Sequence, residues 1–246
     1  MTDMIELSNS IIINDNCEKV LSQIPDKSID LIITSPPYNK RNSAGKLVPE
    51  IKYEDYSDNV DEEGYQQWQI SIINELYRVL KDDGFLFYNH KVRYHNNQML
   101  HPITFLTRTK FILWQEIIWN RKIAGNIRGW RFYNIEERIY WMVKQKPPEL
   151  PQHIASWSNI WEIPPAANKT IHPAPFTEEL VHRMFIIAES YKNGTLTVLD
   201  PFAGICTVGL VAKKRGHKYI CIEITKSYCE YGDAMINNSS KILRLF

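Results

Sequence analysis

Residues 28–34 read SIDLIIT, an apolar run rich in isoleucine whose polar positions do not alternate. Such a run fits a strand covered on both faces, as in the middle of a parallel sheet. It stops at Pro36 and Pro37, and a polar segment of little periodicity follows from Asn39 to Asp61. Tyr65, Trp68, Ile72, Ile73, Leu76, Val79 and Leu80 then recur at spacings of three and four, which predicts an amphipathic helix closed by Asp82-Asp83-Gly84. GFLFYN (84–89), FILWQEIIW (111–119) and RIYWMV (138–143) predict three more strands. The stretch from Lys144 to Lys169 holds Pro147, Pro148, Pro151, Pro164 and Pro165 and reads as an irregular surface insertion. Thr177 predicts the cap of a helix over 178–191, with Glu178 and Glu179 favourably placed in its first turn. The strand TLTVLD, the loop PFAGICT, a helix ending near Arg215-Gly216 and the strand KYICIEI then make a β-α-β unit. This alternation predicts an α/β fold: a doubly wound, mostly parallel sheet with helices on both faces, binding its ligands beyond the carboxyl ends of the strands.

A chain of 246 residues, 44% of them hydrophobic, supports one core, so a single domain over 1–246 is expected. Cys17, Cys206, Cys221 and Cys229 are scattered with no C-x-x-C pair, so neither a zinc site nor a disulfide framework is indicated and no metal is expected. The start MTDMIELSNS has acids where a signal peptide has lysines, and no apolar run approaches the roughly 18 residues of a membrane helix. A soluble, cytoplasmic protein with no membrane partner is the expectation. The net charge of +1 hides an uneven distribution. Residues 1–90 hold 8 Lys+Arg and 16 Asp+Glu, residues 91–148 hold 11 and 3, and the remainder hold 10 and 9. Aromatic residues, among them Trp114, Trp119, Trp130 and Tyr133, are interleaved with the cations of the middle block. Cations and rings together suit phosphates and bases, and the same mixture also fits a solvated face over ordinary core aromatics.

Two motifs carry chemistry. Thr34-Ser35-Pro36-Pro37-Tyr38 falls where the first buried strand ends. Each proline holds the residue before it extended and lacks an N–H, so the segment presents mainly acceptors. A primary amine needs acceptors: the hydrogens of a flipped base's amino group can bond to the Ser35 hydroxyl and the Pro36 carbonyl while Tyr38 stacks on the ring. The second motif, Asp200-Pro201-Phe202-Ala203-Gly204, lies between a strand and a helix, with Glu223 ending the next strand. A glycine turn lets backbone approach a ligand, and an acid one strand on can bind ribose hydroxyls. The G-x-G-x-x-G spacing is absent, and Asp200 would repel a pyrophosphate but attract an ammonium group. That pattern favours S-adenosylmethionine over a dinucleotide.

Together the motifs resemble the β group of amino DNA methyltransferases, the N4-cytosine and N6-adenine enzymes of restriction-modification systems. TSPPY resembles the family's catalytic motif IV, VLDPFAGICT its motif I, the Glu223 strand its motif II, and NKTIHPAPF (168–176) its motif X. The order, catalytic motif first and motif I near the carboxyl end, is that of the β group. The resemblance implies the class I S-adenosylmethionine-dependent methyltransferase fold, with a catalytic half over 28–143, a short target-recognition insertion over 144–168 and a donor-binding half over 169–235. It implies that Ser35, Pro36, Pro37 and Tyr38 are catalytic. Asp200 would hold the donor's amine, Pro201, Phe202, Gly204 and Thr207 would line its pocket, and Glu223 would bind its ribose. Lys169, Thr170, His172 and Pro173 would surround its carboxylate. Cys206 departs from the family, which usually has a second glycine there. Ser35 leans the reading toward cytosine N4, since the family's serine versions are mostly cytosine enzymes; adenine N6 is the alternative. Carbon-5 methylation needs a cysteine nucleophile usually preceded by proline, and no Pro-Cys occurs.

The expected partner is double-stranded DNA with one flipped base. Charge assigns its contacts to Lys40, Arg41 and Lys46 and to Arg121, Lys122, Arg128 and Arg131. The short insertion implies a short target sequence or help from a second subunit, and a homodimer and a cognate restriction endonuclease are the further partners in view. Methylation of RNA or of a protein amide, and a non-catalytic nucleic-acid-binding protein on the same fold, are the competing readings.

Overall fold

The structure is a computed structural model and describes residues 9–39, 61–122, 132, 134–166, 171 and 175–242. Its strands are β1 (Ile11–Asn14), β2 (Ile29–Thr34), β3 (Leu80–His90), β4 (Arg93–His95), β5 (Gln98–Leu100), β6 (Ile112–Asn120), β7 (Glu136–Val143), β8 (Ile160–Glu162), β9 (Thr197–Asp200) and β10 (Lys218–Glu223). Its helices are α1 (Cys17–Leu21), α2 (Glu62–Val79), α3 (Ile103–Leu106), α4 (Gln152–Ala155), α5 (Glu178–Glu189), α6 (Thr207–Lys214) and α7 (Lys226–Ile242). Eight strands form one sheet in the order β1-β10-β9-β2-β3-β7-β6-β8, and β4 and β5 pair separately. β1, β10, β9, β2 and β3 run parallel, while β7 is antiparallel to both β3 and β6. The expected mostly parallel, doubly wound α/β sheet is the observed one.

Every residue of β2 is buried, because helices cover both faces of the sheet. On one side, α5 and α6 pack Leu180, Phe185, Val208 and Val211 against Leu31, Ile33, Phe87 and Val198. On the other, α1 and α2 bring Val20, Leu21, Ile72, Ile73 and Leu76 onto Ile32, Leu86, Leu199 and Ile222. Alternate residues of each strand thus feed two separate cores. The predicted cap holds: the Thr177 side chain accepts from the Leu180 N–H at the start of α5. Asp61 caps α2 in the same way, accepting from the Gly64 N–H. Among the described residues no helix is long and apolar enough to cross a membrane.

Three expectations need correction. The α2 helix ends at Val79, and Leu80 already pairs with Ile29, with an irregularity in β2 before Leu31. Glycine explains that tight passage, since a Cβ at Gly84 would lie 2.9 Å from the Asp30 carbonyl oxygen. The stretch 144–166 is no mere surface insertion. It forms α4 and β8, β8 pairs parallel with β6, and Ile154, Trp161 and Ile163 enter the core. Its prolines suit an edge strand flanked by loops. Finally β1, missed because IIIN is so short, adds a parallel strand beside β10.

Trp161→Ala should therefore lower unfolding free energy by about 3–5 kcal/mol, as for a large buried aromatic. Ile160→Ala, at a half-exposed neighbouring position, should stay within about 0.5 kcal/mol. Denaturant titration followed by circular dichroism measures both, and equal small effects would return this segment to the surface.

Candidate active site

The sheet changes winding direction between β9 and β2, where α6 leads from β9 to β10 on one side and α2 leads from β2 to β3 on the other. A crevice must open there, since the loops leaving the two strands diverge. A cavity of about 310 Å³ occupies it, within the size range of small-ligand sites, about 300–1,000 Å³. Its walls include Ser35, Pro36, Pro37, Tyr38, Asp200, Pro201, Phe202, Gly204, Thr207 and Glu223, so the two motifs read from sequence meet in one pocket. One hydrogen bond joins them directly: Thr34 Oγ1 donates to Asp200 Oδ1 at 2.9 Å.

Asp200 also accepts from the Phe202 N–H at 3.1 Å. Burial nevertheless dominates and pushes its carboxyl up to about 7, with the Thr34 and Phe202 bonds opposing and nearby Glu223 adding to the rise. Glu223 ends β10, where one oxygen accepts from the Gly204 N–H and the other from the Thr225 N–H, each at 2.8 Å. Burial raises its pKa as well. Gly204 adopts φ +50°, and the Ala203 N–H bonds to the Ile222 carbonyl, which pins the turn against β10.

Cys206, the departure from the family pattern, takes a left-handed φ of +60° at the amino end of α6. Its thiol is fully buried. A helix glycine makes the room: a Cβ at Gly232 would meet Cys206 Sγ at 2.8 Å, just as one at Gly209 would meet the Sγ of Cys221 at 2.8 Å. The missing glycine in the turn is offset by a glycine on the helix it faces.

The catalytic-type loop is held from behind. The Tyr65 hydroxyl lies 2.8 Å from both the Pro37 carbonyl and His90 Nε2, so its one proton is shared between two acceptors. Gln69 Nε2 also reaches the Pro37 carbonyl, at 3.3 Å, and its Oε1 accepts from Tyr88. Burial drives His90 well below the usual histidine pKa, so the ring is neutral and gives its N–H to the Lys91 carbonyl. In front, the Tyr38 hydroxyl lies 2.6 Å from Ser35 Oγ and 3.1 Å from Glu137 Oε2, and Asn89 Nδ2 donates to both Tyr38 and Glu137. Arg121 Nη1 bonds to Glu137 Oε1 at 3.0 Å.

Arg121 thus departs from its expected place on the DNA-backbone surface. It is mostly buried, lines the cavity and is paired with Glu137. Lys122 is exposed and pairs with Glu162. Lys40, Arg41, Lys46, Arg128, Arg131, Lys169, Thr170, His172 and Pro173 lie outside the described residues, although Pro175 and Phe176 of the same motif-X segment do line the cavity. Sequence reading missed Asn89, Glu137 and the residues Asp15 to Glu18 of the β1–α1 loop and first turn of α1. The available signal was position: Asn89 lies near the carboxyl end of β3 and Glu137 at the opening of β7, on the same rim as Ser35.

The fold is that of class I S-adenosylmethionine-dependent methyltransferases. It is similar to the PvuII cytosine-N4-specific DNA methyltransferase (TM-score 0.74, 21% identity, 93% of this chain and 86% of that one). It is also similar to a putative DNA modification methylase of Thermus thermophilus complexed with S-adenosyl-L-methionine (TM-score 0.65, 21% identity, 92% and 94%). A model of the N6/N4 methyltransferase family, described as DNA methylase, matches residues 29–235, and the chain belongs to that family of DNA amino-methyltransferases. Curated relatives include the DNA adenine methyltransferase YhdJ of Escherichia coli (27% identity over 90% of this chain and 80% of that protein). The type II methyltransferase M.BglII of Bacillus subtilis is another (27%, covering 89% of this chain and 66% of that one).

The glycine at 232 is testable on its own. Gly232→Ala should cost about 1–3 kcal/mol through overpacking against Cys206, and adding Cys206→Gly should return much of that loss in a thermal-unfolding comparison. Additive effects of the two changes would mean the thiol and the helix are not in competition.

Proposed function

We propose that the cavity holds S-adenosylmethionine over β9 and β10 and a base flipped from double-stranded DNA beside β2, β3 and β7, and that the chain methylates the N4 amine of cytosine. The observation that carries this reading is the Thr34–Asp200 bond, which fixes the donor-type turn against the acceptor-rich loop in one pocket. The residues fit the donor. A buried carboxylate with a raised pKa gains by pairing with an ammonium group, the left-handed Gly204 leaves backbone accessible, and the Glu223 carboxylate on the cavity wall suits ribose hydroxyls. When bound, the donor supplies a sulfonium methyl group for attack by the amine.

The chain's own contribution is positioning. The Pro36 carbonyl and Ser35 hydroxyl accept the amine hydrogens and draw the nitrogen lone pair out of conjugation with the ring. As the nitrogen gains carbon it sheds a proton, and Ser35 Oγ, Tyr38 hydroxyl and Glu137 form a continuous hydrogen-bonded route away from it. The prolines before Tyr38 keep N–H donors out of the acceptor wall. Methylation of adenine N6 is the second reading, supported by the name of the Escherichia coli relative.

The donor site has a pH signature. An ammonium partner needs Asp200 ionised, and in the free protein that carboxyl titrates at about 7. Donor affinity should thus be highest above pH 7 and fall by up to about tenfold per unit below it, with a proton released on binding. Asp200→Asn should weaken binding at pH 8 by about ten- to a hundredfold and flatten this dependence. Calorimetric titration in buffers of different ionisation enthalpy reads both quantities, and a pH-independent wild-type affinity would remove Asp200 from the donor site.

Chemistry and donor binding should separate at Tyr38. Tyr38→Ala should keep donor affinity yet reduce transfer of labelled methyl to DNA by orders of magnitude, since a stacking platform worth about 1–3 kcal/mol is lost along with orientation. Digestion to nucleosides and mass analysis identifies the product. N4-methylcytosine supports the cytosine reading, N6-methyladenine the second, and 5-methylcytosine would defeat the mechanism.

A further inference from the structure

Two buried polar atoms of this pocket's residues have no hydrogen-bond partner among the described residues: Asn89 Oδ1 and Arg121 Nε. Both residues line the cavity together with Ser35 and Tyr38. One atom is an acceptor and the other a donor. Orphan Nε atoms also occur at Arg93 and Arg138 outside the cavity; at Asn89 and Arg121 orphans of opposite kind fall on two residues of one cavity, which suits a polar ligand.

A single carboxylate fixes their relation. Glu137, itself buried, accepts from Asn89 Nδ2 through Oε2 at 2.8 Å and from Arg121 Nη1 through Oε1 at 3.0 Å. With Nη1 engaged, the guanidinium keeps its Nε–H and Nη2–H edge for a ligand. That edge is the fork suited to two adjacent acceptors.

We propose that Asn89 and Arg121 read the Watson–Crick edge of the flipped base and that the base they fit is cytosine; this rests on the reading of the cavity as a base site. Cytosine presents an amino donor, the N3 acceptor and the O2 acceptor in order. Asn89 Oδ1 supplies an acceptor and the Nε–H, Nη2–H edge of Arg121 two donors, the set of groups that guanine offers cytosine in a base pair. Adenine matches the first two groups but has a C–H in third place, which leaves one guanidinium N–H buried without a partner. Thymine and guanine reverse the first two groups and are refused. The Pro36 carbonyl takes one amine hydrogen, and Ser35 Oγ and Asn89 Oδ1 share the other in a bifurcated bond, Asn89 Nδ2 lying 3.3 Å from Ser35 Oγ. Asn89 and Arg121 are the specificity-determining residues, and Glu137 is a positioning residue that holds both.

The test needs the target first, so nucleosides from DNA treated with the wild-type protein are identified by mass and the modified position is mapped. A duplex carrying that position is then made with cytosine or with 3-deazacytosine, which keeps the amine but lacks the N3 acceptor. The wild-type protein should methylate the analogue about tenfold or more slowly. Arg121→Met should be slow on cytosine by a similar factor and suffer little further loss on the analogue, with S-adenosylmethionine affinity unchanged. Any change in the amine's own reactivity is common to both proteins and cancels. Arg121→Lys keeps the charge beside Glu137 but cannot form the fork; it should show the same pattern and serves if the methionine variant does not fold. Equal sensitivity to the analogue in wild type and variants overturns the proposal, as does N6-methyladenine as the sole product. Absence of any methylated base instead defeats the proposed function itself, and this reading with it.

Discussion

The pairing of β2 with β9 is the constraint on which the rest depends. Leu31 lies beside Val198 and Ile32 beside Leu199, which places the last residue of each strand within reach of the other. Thr34 and Asp200, 166 positions apart in the chain, can then share a proton at the floor of the crevice. Both strands are parallel and both end at the same rim, so a proline-rich acceptor loop and a glycine turn emerge side by side. Had either strand been reversed, its loop would have left from the opposite end of the sheet. The order of the motifs along the chain is therefore of little consequence to the chemistry, because the sheet, not the sequence, makes them neighbours.

Burial gives the site its electrostatic character. Asp200 is buried in the crevice wall, where among the described residues one hydroxyl and one N–H donate to it, and burial disfavours its charge. His90 shows the complementary effect: a buried imidazole kept neutral, so that its Nε2 can accept from Tyr65 without adding charge behind the loop. Polar groups behind the loop bond to one another through Tyr65, Gln69, Tyr88 and His90, whereas Asn89 and Arg121, which line the cavity, each keep a buried atom without a partner among the described residues. A satisfied network fixes geometry.

The seat of Cys206 illustrates how a local departure is absorbed at a distance. A left-handed residue with a side chain is strained relative to glycine. Here the thiol fills space left by Gly232 on α7, and its neighbour Cys221 fills that left by Gly209 on α6. The turn keeps the backbone path that Glu223 braces through the Gly204 N–H. Close packing makes such exchanges necessary, since an added methyl on either helix would have nowhere to go.

The sequence by itself determined the alternation of strands and helices, the cap at Thr177 and the two motifs, because each depends on periodicity or on residue types only a few positions apart. Ser35, Pro36, Pro37, Tyr38, Asp200, Gly204 and Glu223 were legible for that reason, and all of them line the cavity. Asn89 and Glu137 were not. Each stands alone in an ordinary strand pattern, and only the antiparallel register of β7 on β3, with Asn89 opposite Ile139, brings Glu137 round to the rim. Arg121 looked like any cation of a basic block until tertiary contact buried it against Glu137. The prolines of 144–166 likewise argued locally for a loose surface, and Trp161 lies in the core because β8 finds β6 across the sheet. Local chemistry is written in neighbouring residues; partnership between distant ones is set by register and burial, which no short stretch of chain contains.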